Sequence, residues 1–164
     1  GFFGLVVIVP LVQSLFGGSG KGILTASVLL GIMILPTIIS VTEASIRAVP
    51  ESYYEGALAL GATKERSVFC AVMPGARSGI TAGVILGTGR AIGETMAVVM
   101  VAGNAAVMPD GLLSGVRTLT ANIVLEMGYA ADLHREALIA TAVVLFVFIL
   151  IINLMFSLLK RKEG

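Results

Sequence analysis

Long uninterrupted apolar blocks, rather than alternating polar and apolar residues, constrain this 164-residue chain most strongly. The blocks cover residues 2–16, 23–42, 78–102 and 137–159. A helix needs about 20 apolar residues to cross the hydrocarbon core of a bilayer. Only the first block falls slightly short of that length. Because charged residues make up 13% of the chain, against about 25% in an ordinary soluble domain, we expect lipid to be the solvent. The sequence predicts an all-α polytopic transmembrane protein with about four spans.

Several residue types limit what else the chain can do. The chain begins at Gly1 with no charged flank, so we expect an N-terminal part with further spans to precede it, rather than a signal peptide. A lone cysteine, Cys70, excludes an intramolecular disulfide and a zinc cluster. The glycine-rich segment 17–22 lacks the spacing of a nucleotide-binding loop and is predicted to be a turn. His134 has no cysteine or carboxylate partner in the sequence pattern and is interpreted as a surface residue. No basic tract indicates nucleic-acid binding, and no metal site is predicted.

Basic residues predict the orientation of the spans. Three of them, Lys21, Arg117 and Arg135, belong to one side of the membrane. Cytoplasmic segments carry the excess of lysine and arginine. Residues 48–77 are therefore predicted to form a cytoplasmic loop. The richer side carries seven basic residues: Arg47, Lys64, Arg66, Arg77, Lys160, Arg161 and Lys162.

The predicted cytoplasmic loop contains signals for two short helices joined at a glycine. Pro50 suits a helix start, where its missing N–H costs nothing, and Glu51 adds a favourable charge there. Gly61 can end this helix with a left-handed backbone, and Thr63 can cap the next one, until Pro74 ends it. The hairpin is either a solvated connection between spans or a small-residue surface that binds a groove on a partner protein.

The third block contains a charged pair, Arg90 and Glu94. Arg90 lies roughly 18 Å into a helix that begins near residue 78, close to the bilayer midplane, where an ionisable residue costs at least about 2.5 kcal/mol. At 100° per residue, Gly79, Gly83, Gly87 and both charges share one face. Because glycines four residues apart let a second helix approach closely, this face is predicted to contact protein rather than lipid.

Two interpretations of the pair stay open. In one, Arg90 and Glu94 neutralise each other and hold helices together, although arginine before glutamate is the weaker order for such a pair. In the other, the Arg90 guanidinium binds an anion at the midplane, since its geometry matches phosphate. Glu94 would then hold Arg90 in place or exchange partners with it.

The loop at 48–77 resembles the EAA loop of ABC-importer permeases, Glu-Ala-Ala-x3-Gly-x9-Ile-x-Leu-Pro. Glu55, Ala57, Gly61 and Pro74 match that pattern in register. In the family this loop forms coupling helices that dock into the ATPase subunit, so the resemblance assigns those four residues to ATPase coupling. Three positions differ from the pattern: Gly56 replaces the first alanine, Ala71 the isoleucine and Met73 the leucine.

The resemblance extends to one branch of that family. Residues 87–97 (GTGRAIGETMA) and 101–104 (VAGN) are similar to phosphate-importer permeases, and residues 116–120 (VRTLT), with Glu126 and Gly128, to their PstC-type subunit. The resemblance covers essentially residues 1–164, as one permease transmembrane domain. In that family the membrane arginine and glutamate are implicated in phosphate passage, which here points to Arg90 and Glu94.

A transport function with several partners follows from the resemblance. It implies a subunit of an ATP-driven phosphate importer in a bacterial plasma membrane, surrounded by lipid. Its partners would be a sister permease, an ABC ATPase dimer and an extracytoplasmic phosphate-binding protein. This chain would not be an enzyme and would bind no cofactor, because ATP and Mg²⁺ belong to the ATPase. The alternative is an importer for another oxyanion or small solute. A membrane enzyme is disfavoured because no cluster of His, Asp or Cys occurs, and a passive channel would not need the EAA loop.

Overall fold

A computed structural model describes the backbone of residues 1–163 and the side chains of residues 1–158. Within residues 1–163 all regular elements are helices, and the one β feature is an isolated parallel bridge between Gly103 and Val116. The all-α prediction is therefore confirmed. The side chains of Lys160, Arg161 and Lys162, which contribute to the predicted orientation, lie outside the described residues.

Nine α-helices and two π-helical turns are present in the described part of the chain. A π-helical turn at Gly4–Ile8 leads into α1, and another, at Val68–Val72, joins α4 to α5. The α-helices are α1 (Val9–Phe16), α2 (Ile23–Arg47), α3 (Glu51–Ala59), α4 (Lys64–Ser67), α5 (Met73–Gly75), α6 (Arg77–Ile92), α7 (Met96–Val101), α8 (Leu119–Glu126) and α9 (Asp132–Glu163).

Among the residues that the structure describes, two helices are long and apolar enough to cross a membrane by length and composition. They are α2 and, over Asp132–Leu158, α9. The same criteria count a third span if the helices at Lys64–Gly75 and Arg77–Ile92, which meet at a bend of 69°, cross as one. The apolar helix at Gly4–Phe16 is shorter than a span. The structure thus supports two clear spans and up to three, where the sequence predicts about four.

The first compact unit comprises residues 1–33 and 90–152. Its core contains small and β-branched side chains from α1, the first part of α2, and α7, with Val101 and Ala102 completely buried. Gly4 lies against Leu29, whose Cδ2 atom would be 2.5 Å from an added Cβ. A larger residue at position 4 would therefore force the buried Leu29 side chain to move.

An outer loop, residues 103–117, covers the start of α2 in this unit. The amides of residues 22–24 donate to the carbonyl oxygens of Val101, Ser114 and Leu112, at 3.1, 3.2 and 2.8 Å respectively. These donors belong to the first turn of a helix, where the backbone N–H groups have no partner within the helix. The carbonyl groups of this loop and of the end of α7 therefore satisfy the amino-terminal end of α2.

The second unit comprises residues 34–89 together with α9 from Asn153 onward. Within it, α6 packs against α2 through glycines. A Cβ at Gly83 would lie 3.3 Å from Val41, and one at Gly87 would lie 2.6 Å from Ile38 Cγ1. At Gly79 an added Cβ would clash with the Ser45 side chain. This close approach of two helix backbones is what residues without a side chain permit.

The connection between α2 and α6 has the two-helix form that the sequence predicts. Gly61 follows α3 with a φ of +87°, a left-handed conformation that glycine adopts without strain. The Thr63 hydroxyl then accepts a hydrogen bond from the Arg66 amide at the start of α4. Pro74 is the last residue but one of the continuous helical stretch at Lys64–Gly75, which is followed by a bend of 69°. This stretch therefore ends within two residues of the position that the sequence predicts.

Candidate functional site

The sequence predicts that the third apolar block is one continuous helix. In the structure it forms two helices separated by a break. Helix α6 ends at Ile92, residues 93–95 are not helical, and α7 begins at Met96. Gly93 has a low helix propensity, and the Glu94 side chain bonds to the backbone beyond it. These local effects interrupt a stretch whose hydropathy alone predicts a single span.

Glu94 lies in the break and bonds to the first turn of α7. Its Oε1 atom accepts a hydrogen bond from the Ala97 amide, with 3.2 Å between the two atoms. Amides in a first helical turn lack partners in their own helix, and a carboxylate is favoured at this positive end of the helix dipole. Glu94, which is half-buried, therefore acts locally as a cap. Its predicted place on the helical face of Arg90 is wrong, because the helix ends before residue 94.

Arg90 is exposed in the last turn of α6. Among the described residues, no hydrogen bond or ion pair joins it to Glu94. Helix α6 does contain the three predicted packing glycines, Gly79, Gly83 and Gly87, and brings them against α2. A cation in a last helical turn is favoured by the dipole. The Arg90 guanidinium is thus next to the break with its donors available.

The residues predicted to contact an ATPase are all at the surface. Glu55, Gly61 and Pro74 are exposed and Ala57 is half-buried. Large apolar side chains accompany them in the same hairpin, where Leu60 is 91% exposed. A Cβ added at Gly61 would meet open space. The hairpin therefore presents an apolar and partly charged surface that the residues described in the structure do not cover.

A polar cluster around Arg117, in the outer loop, was not predicted. Arg117 Nε donates to the Asn104 carbonyl oxygen at 3.0 Å, and Arg117 Nη1 lies 2.8 Å from Glu126 Oε1. The same Nη1 is 3.4 Å from Asn122 Oδ1. Asn104 has a left-handed φ of 54°, and its side-chain amide donates to the Val99 carbonyl at 2.7 Å. The signal in the sequence is the spacing of Asn122 and Glu126, which lie four residues apart and share one face of α8.

Glu126 is the centre of this cluster. A hydrogen bond from the Tyr129 hydroxyl and the nearby Arg117 guanidinium hold the pKa of the Glu126 carboxyl below its usual range. The same hydrogen bond raises the pKa of Tyr129. His134 Nε2 lies 3.7 Å from Glu126 Oε2, and its ring meets Tyr129 edge-on. The interpretation of His134 as a residue without a carboxylate partner is therefore wrong, because α8 brings Glu126 next to it.

No metal centre is evident in the part of the chain that the structure describes. A group of three His, Cys, Asp or Glu side chains that could hold an ion does not occur among those residues. Cys70 is exposed on the hairpin. The charged side chains of α6, the break and the outer loop can instead form ion pairs or bind a charged ligand.

Comparison with known proteins gives one consistent family. A family model described as binding-protein-dependent transport system inner membrane component matches residues 2–163. A phosphate transport system permease protein PstC of Xylella fastidiosa (strain Temecula1) is 40% identical over 94% of this chain and 50% of its own length. A probable ABC transporter permease protein YqgH of Bacillus subtilis is 37% identical over 99% of this chain and 54% of its own length. A phosphate transport system permease protein PstC of Pasteurella multocida is 33% identical over 100% of this chain and 59% of its own length.

These matches cover nearly all of the chain but not all of its relatives. The chain spans about half the length of the curated relatives it matches. No solved structure matches it. The apolar helices α2 and α9 agree with the membrane location that the family description gives. The chain belongs to the family of inner membrane components of binding-protein-dependent transport systems and is a multi-pass protein of a bacterial plasma membrane.

Proposed function

We propose that this chain forms part of the transmembrane permease subunit of an ATP-driven phosphate importer, of the PstC type. The observation that carries the proposal is the match to proteins named as phosphate transport permeases, at 33–40% identity over 94–100% of this chain. Membership of the transport family supports the same function. Phosphate is a proposal for this chain because the name belongs to its relatives.

The proposed topology has about four spans. Helices α2 and α9 are two of them, the apolar block at 78–102, which contains most of α6 and all of α7, is the third, and the short apolar helix at Gly4–Phe16 is part of the fourth. The excess of basic residues supports a cytoplasmic position for the hairpin between α2 and α6. The outer loop at 103–117 then faces the opposite side of the membrane.

The hairpin is the proposed site of coupling to the ATPase. Glu55, Ala57, Gly61 and Pro74 keep the spacing of the EAA loop. Leu60 and Phe69 are 91% and 66% exposed, which is costly for large apolar side chains unless a partner covers them. An amphipathic helix that enters a groove on a second protein uses such side chains as anchors.

Arg90 is the proposed anion-binding residue of the pathway, and Glu94 borders the same pathway at the helix break. Arginine presents a planar fork of donors that matches two oxygens of a phosphate group. Glu94 directs its carboxylate to the Ala97 amide, which supports a guanidinium that remains available to an anion. Non-helical backbone at membrane depth is tolerated where it is buried in protein or lines a water-filled cavity.

The rest of the proposed importer lies in other chains. A sister permease would complete the pathway, and an extracytoplasmic phosphate-binding protein would deliver the anion. An ABC ATPase dimer would bind ATP and Mg²⁺, so that this chain performs no hydrolysis and binds no cofactor. ATP would bias an equilibrium between inward-open and outward-open states through the hairpin.

The test is uptake of radiolabelled phosphate by cells that carry the full-length permease and its partner subunits as their single phosphate importer. The variants are Arg90→Ala and the matched control Arg47→Ala. Arg47 forms a solvent-exposed ion pair with Glu43 at 2.9 Å, and such pairs contribute about 0–1 kcal/mol. Membrane assembly is checked for both by co-purification of the ATPase.

We expect Arg90→Ala to abolish phosphate uptake while assembly stays normal and the Arg47→Ala control transports phosphate. If the unmodified protein takes up phosphate and Arg90→Ala does so equally well, the anion role of Arg90 is refuted. Absence of phosphate uptake in the unmodified protein, with sulfate or another solute transported instead, would refute the substrate.

A further inference from the structure

Glu126 lies between a permanent cation and a titratable one. Arg117 Nη1 is 2.8 Å from Glu126 Oε1, and His134 Nε2 is 3.7 Å from Glu126 Oε2. The two cationic groups therefore approach different oxygens of one carboxylate, and they can act on it together. The side chain of Glu126 is 18% exposed and that of Arg117 is 26% exposed, whereas His134 is 49% exposed.

These three residues come from three different segments of the first unit. Arg117 ends the outer loop, Glu126 ends α8, and His134 lies in the first turn of α9. Arg117 also donates to the carbonyl oxygen of Asn104, at the other end of the loop. The carboxylate thus joins both ends of the outer loop to the start of a membrane helix.

We propose that Glu126 is the centre of an extracytoplasmic latch, in which Arg117 holds it at every physiological pH and His134 holds it only when protonated. The latch fastens the outer loop more tightly in acid than at neutral pH. This inference rests on the proposed function for its meaning in transport, because the proposed topology puts the loop on the extracytoplasmic side. The geometry of the latch does not depend on the identity of the substrate.

Other charged and titratable side chains lie near the latch. The Arg117 guanidinium contacts the same carboxylate, and the pKa of Tyr129 is raised above its ordinary value by its hydrogen bond to Glu126. Asp132, Arg135 and Glu136 are the charged neighbours of His134 on α9.

The direction of the pH effect follows from the two titrating partners. The pKa of Glu126 is lowered, so the stability that its charge contributes is complete above the ordinary glutamate pKa and is lost only as the pH falls through the lowered value. Glu126 is therefore ionised at about pH 5.5. The His134 side chain is a cation only when it is protonated, which acid favours. A second cation then joins the carboxylate, and the latch tightens.

The experiment is hydrogen–deuterium exchange on the full-length permease in its assembled complex, held in lipid nanodiscs. Exchange of peptides that cover residues 117–134 is compared at about pH 5.5 and about pH 7.5, after correction for intrinsic chemical exchange. We expect protection about two- to five-fold greater in acid, as for one partly exposed ion pair. The variants are His134→Gln and His134→Lys, with Arg135→Gln as the matched control on the same helical turn.

His134→Gln should abolish the acid-dependent protection, and His134→Lys should make the protection high at both pH values. Arg135→Gln should behave as the unmodified protein does. An acid-dependent protection that persists in His134→Gln, or its loss in Arg135→Gln, would overturn the proposal. Since exchange requires no transport, a failed phosphate-uptake assay beside the expected exchange pattern would count against the proposed function alone.

Discussion

Two arginine–glutamate pairs lie in the first unit of this chain, and the structure treats them differently. Arg90 and Glu94 are four residues apart in sequence, yet Glu94 bonds to the Ala97 amide and no ion pair joins the two among the described residues. Arg117 and Glu126 are further apart in sequence, and they form an ion pair at 2.8 Å. Proximity along the chain therefore does not determine which charges pair.

The difference has a local physical cause. Helix α6 ends between Arg90 and Glu94, so these residues do not share a helical face. Helix α8 begins after Thr118, whose hydroxyl accepts a hydrogen bond from the Ala121 amide. Its last residue, Glu126, contacts the Arg117 side chain. A paired arginine fastens structure, whereas an arginine without its expected counter-ion remains available to bind a ligand anion.

Exchanging the two charges within each pair is the sharpest test of this comparison, and it has the largest expected effect. Arg90→Glu combined with Glu94→Arg should leave phosphate uptake at least about 30-fold below wild type, since a charge-assisted contact of roughly 2 kcal/mol or more is lost and no pair is re-formed. Arg117→Glu combined with Glu126→Arg should recover part of the uptake that either single variant loses. Both are measured in cells with normal membrane levels of the protein.

Recovery of uptake in the exchanged Arg90 and Glu94 pair would show that those two charges do pair during transport. If the double variant of Arg117 and Glu126 takes up no more phosphate than its single variants, the ion pair between these residues is not what uptake requires. The hydrogen bond from Arg117 Nε to the Asn104 carbonyl is not restored by the exchange. For that reason only partial recovery is expected.

Sequence periodicity predicted the long elements and missed the interruption between them. Helix α2 and helix α9 follow from apolar content, and the left-handed Gly61 follows from its position after a helical stretch. The break after Ile92 depends on a hydrogen bond from the backbone to the Glu94 side chain, which hydropathy does not register.

The outer cluster was missed for a related reason. Its partners are nine and eight residues apart, from Arg117 to Glu126 and from Glu126 to His134. The Arg117 contact requires the path of the chain from the outer loop into α8, and the His134 contact requires the turn between α8 and α9. Helical spacing relates only residues three or four apart. The predicted role of the hairpin in ATPase coupling rests on motif spacing and stays a prediction.

A second prediction concerns what holds Arg90 in place, since no ion pair with Glu94 does. Gly79→Leu should clash with Ser45 on α2 and destabilise the packing by about 1–3 kcal/mol, as overpacking typically does. The matched control is Gly89→Leu on the same helix, where an added Cβ would meet open space. The measurement is the thermal unfolding midpoint of the detergent-solubilised complex. Equal midpoints for the two variants would contradict close packing of α6 on α2.

A third prediction concerns the outer pair. Arg117→Gln removes a cation that contacts Glu126 and the Asn104 carbonyl, and hydrogen bonds to charged groups contribute roughly 1.5–3 kcal/mol each. We expect faster hydrogen exchange over the outer loop and a lower unfolding midpoint. Arg135→Gln, an exposed residue nearby, should change neither quantity. Unchanged exchange in Arg117→Gln would mean that the loop is held by its bonds to α2 instead.

The smallest expected effect separates the shape of Glu94 from its charge. Glu94→Gln keeps an oxygen that can accept from the Ala97 amide, whereas Glu94→Ala removes it. Loss of a cap at a helix start costs about 1 kcal/mol, so Glu94→Ala should lower phosphate uptake by roughly five-fold if the open and closed states depend on α7. Glu94→Gln should stay close to wild type. If Gln and Ala variants are equally impaired at equal membrane levels, the negative charge of Glu94 is what transport requires, and Arg90 and Glu94 act as a pair after all.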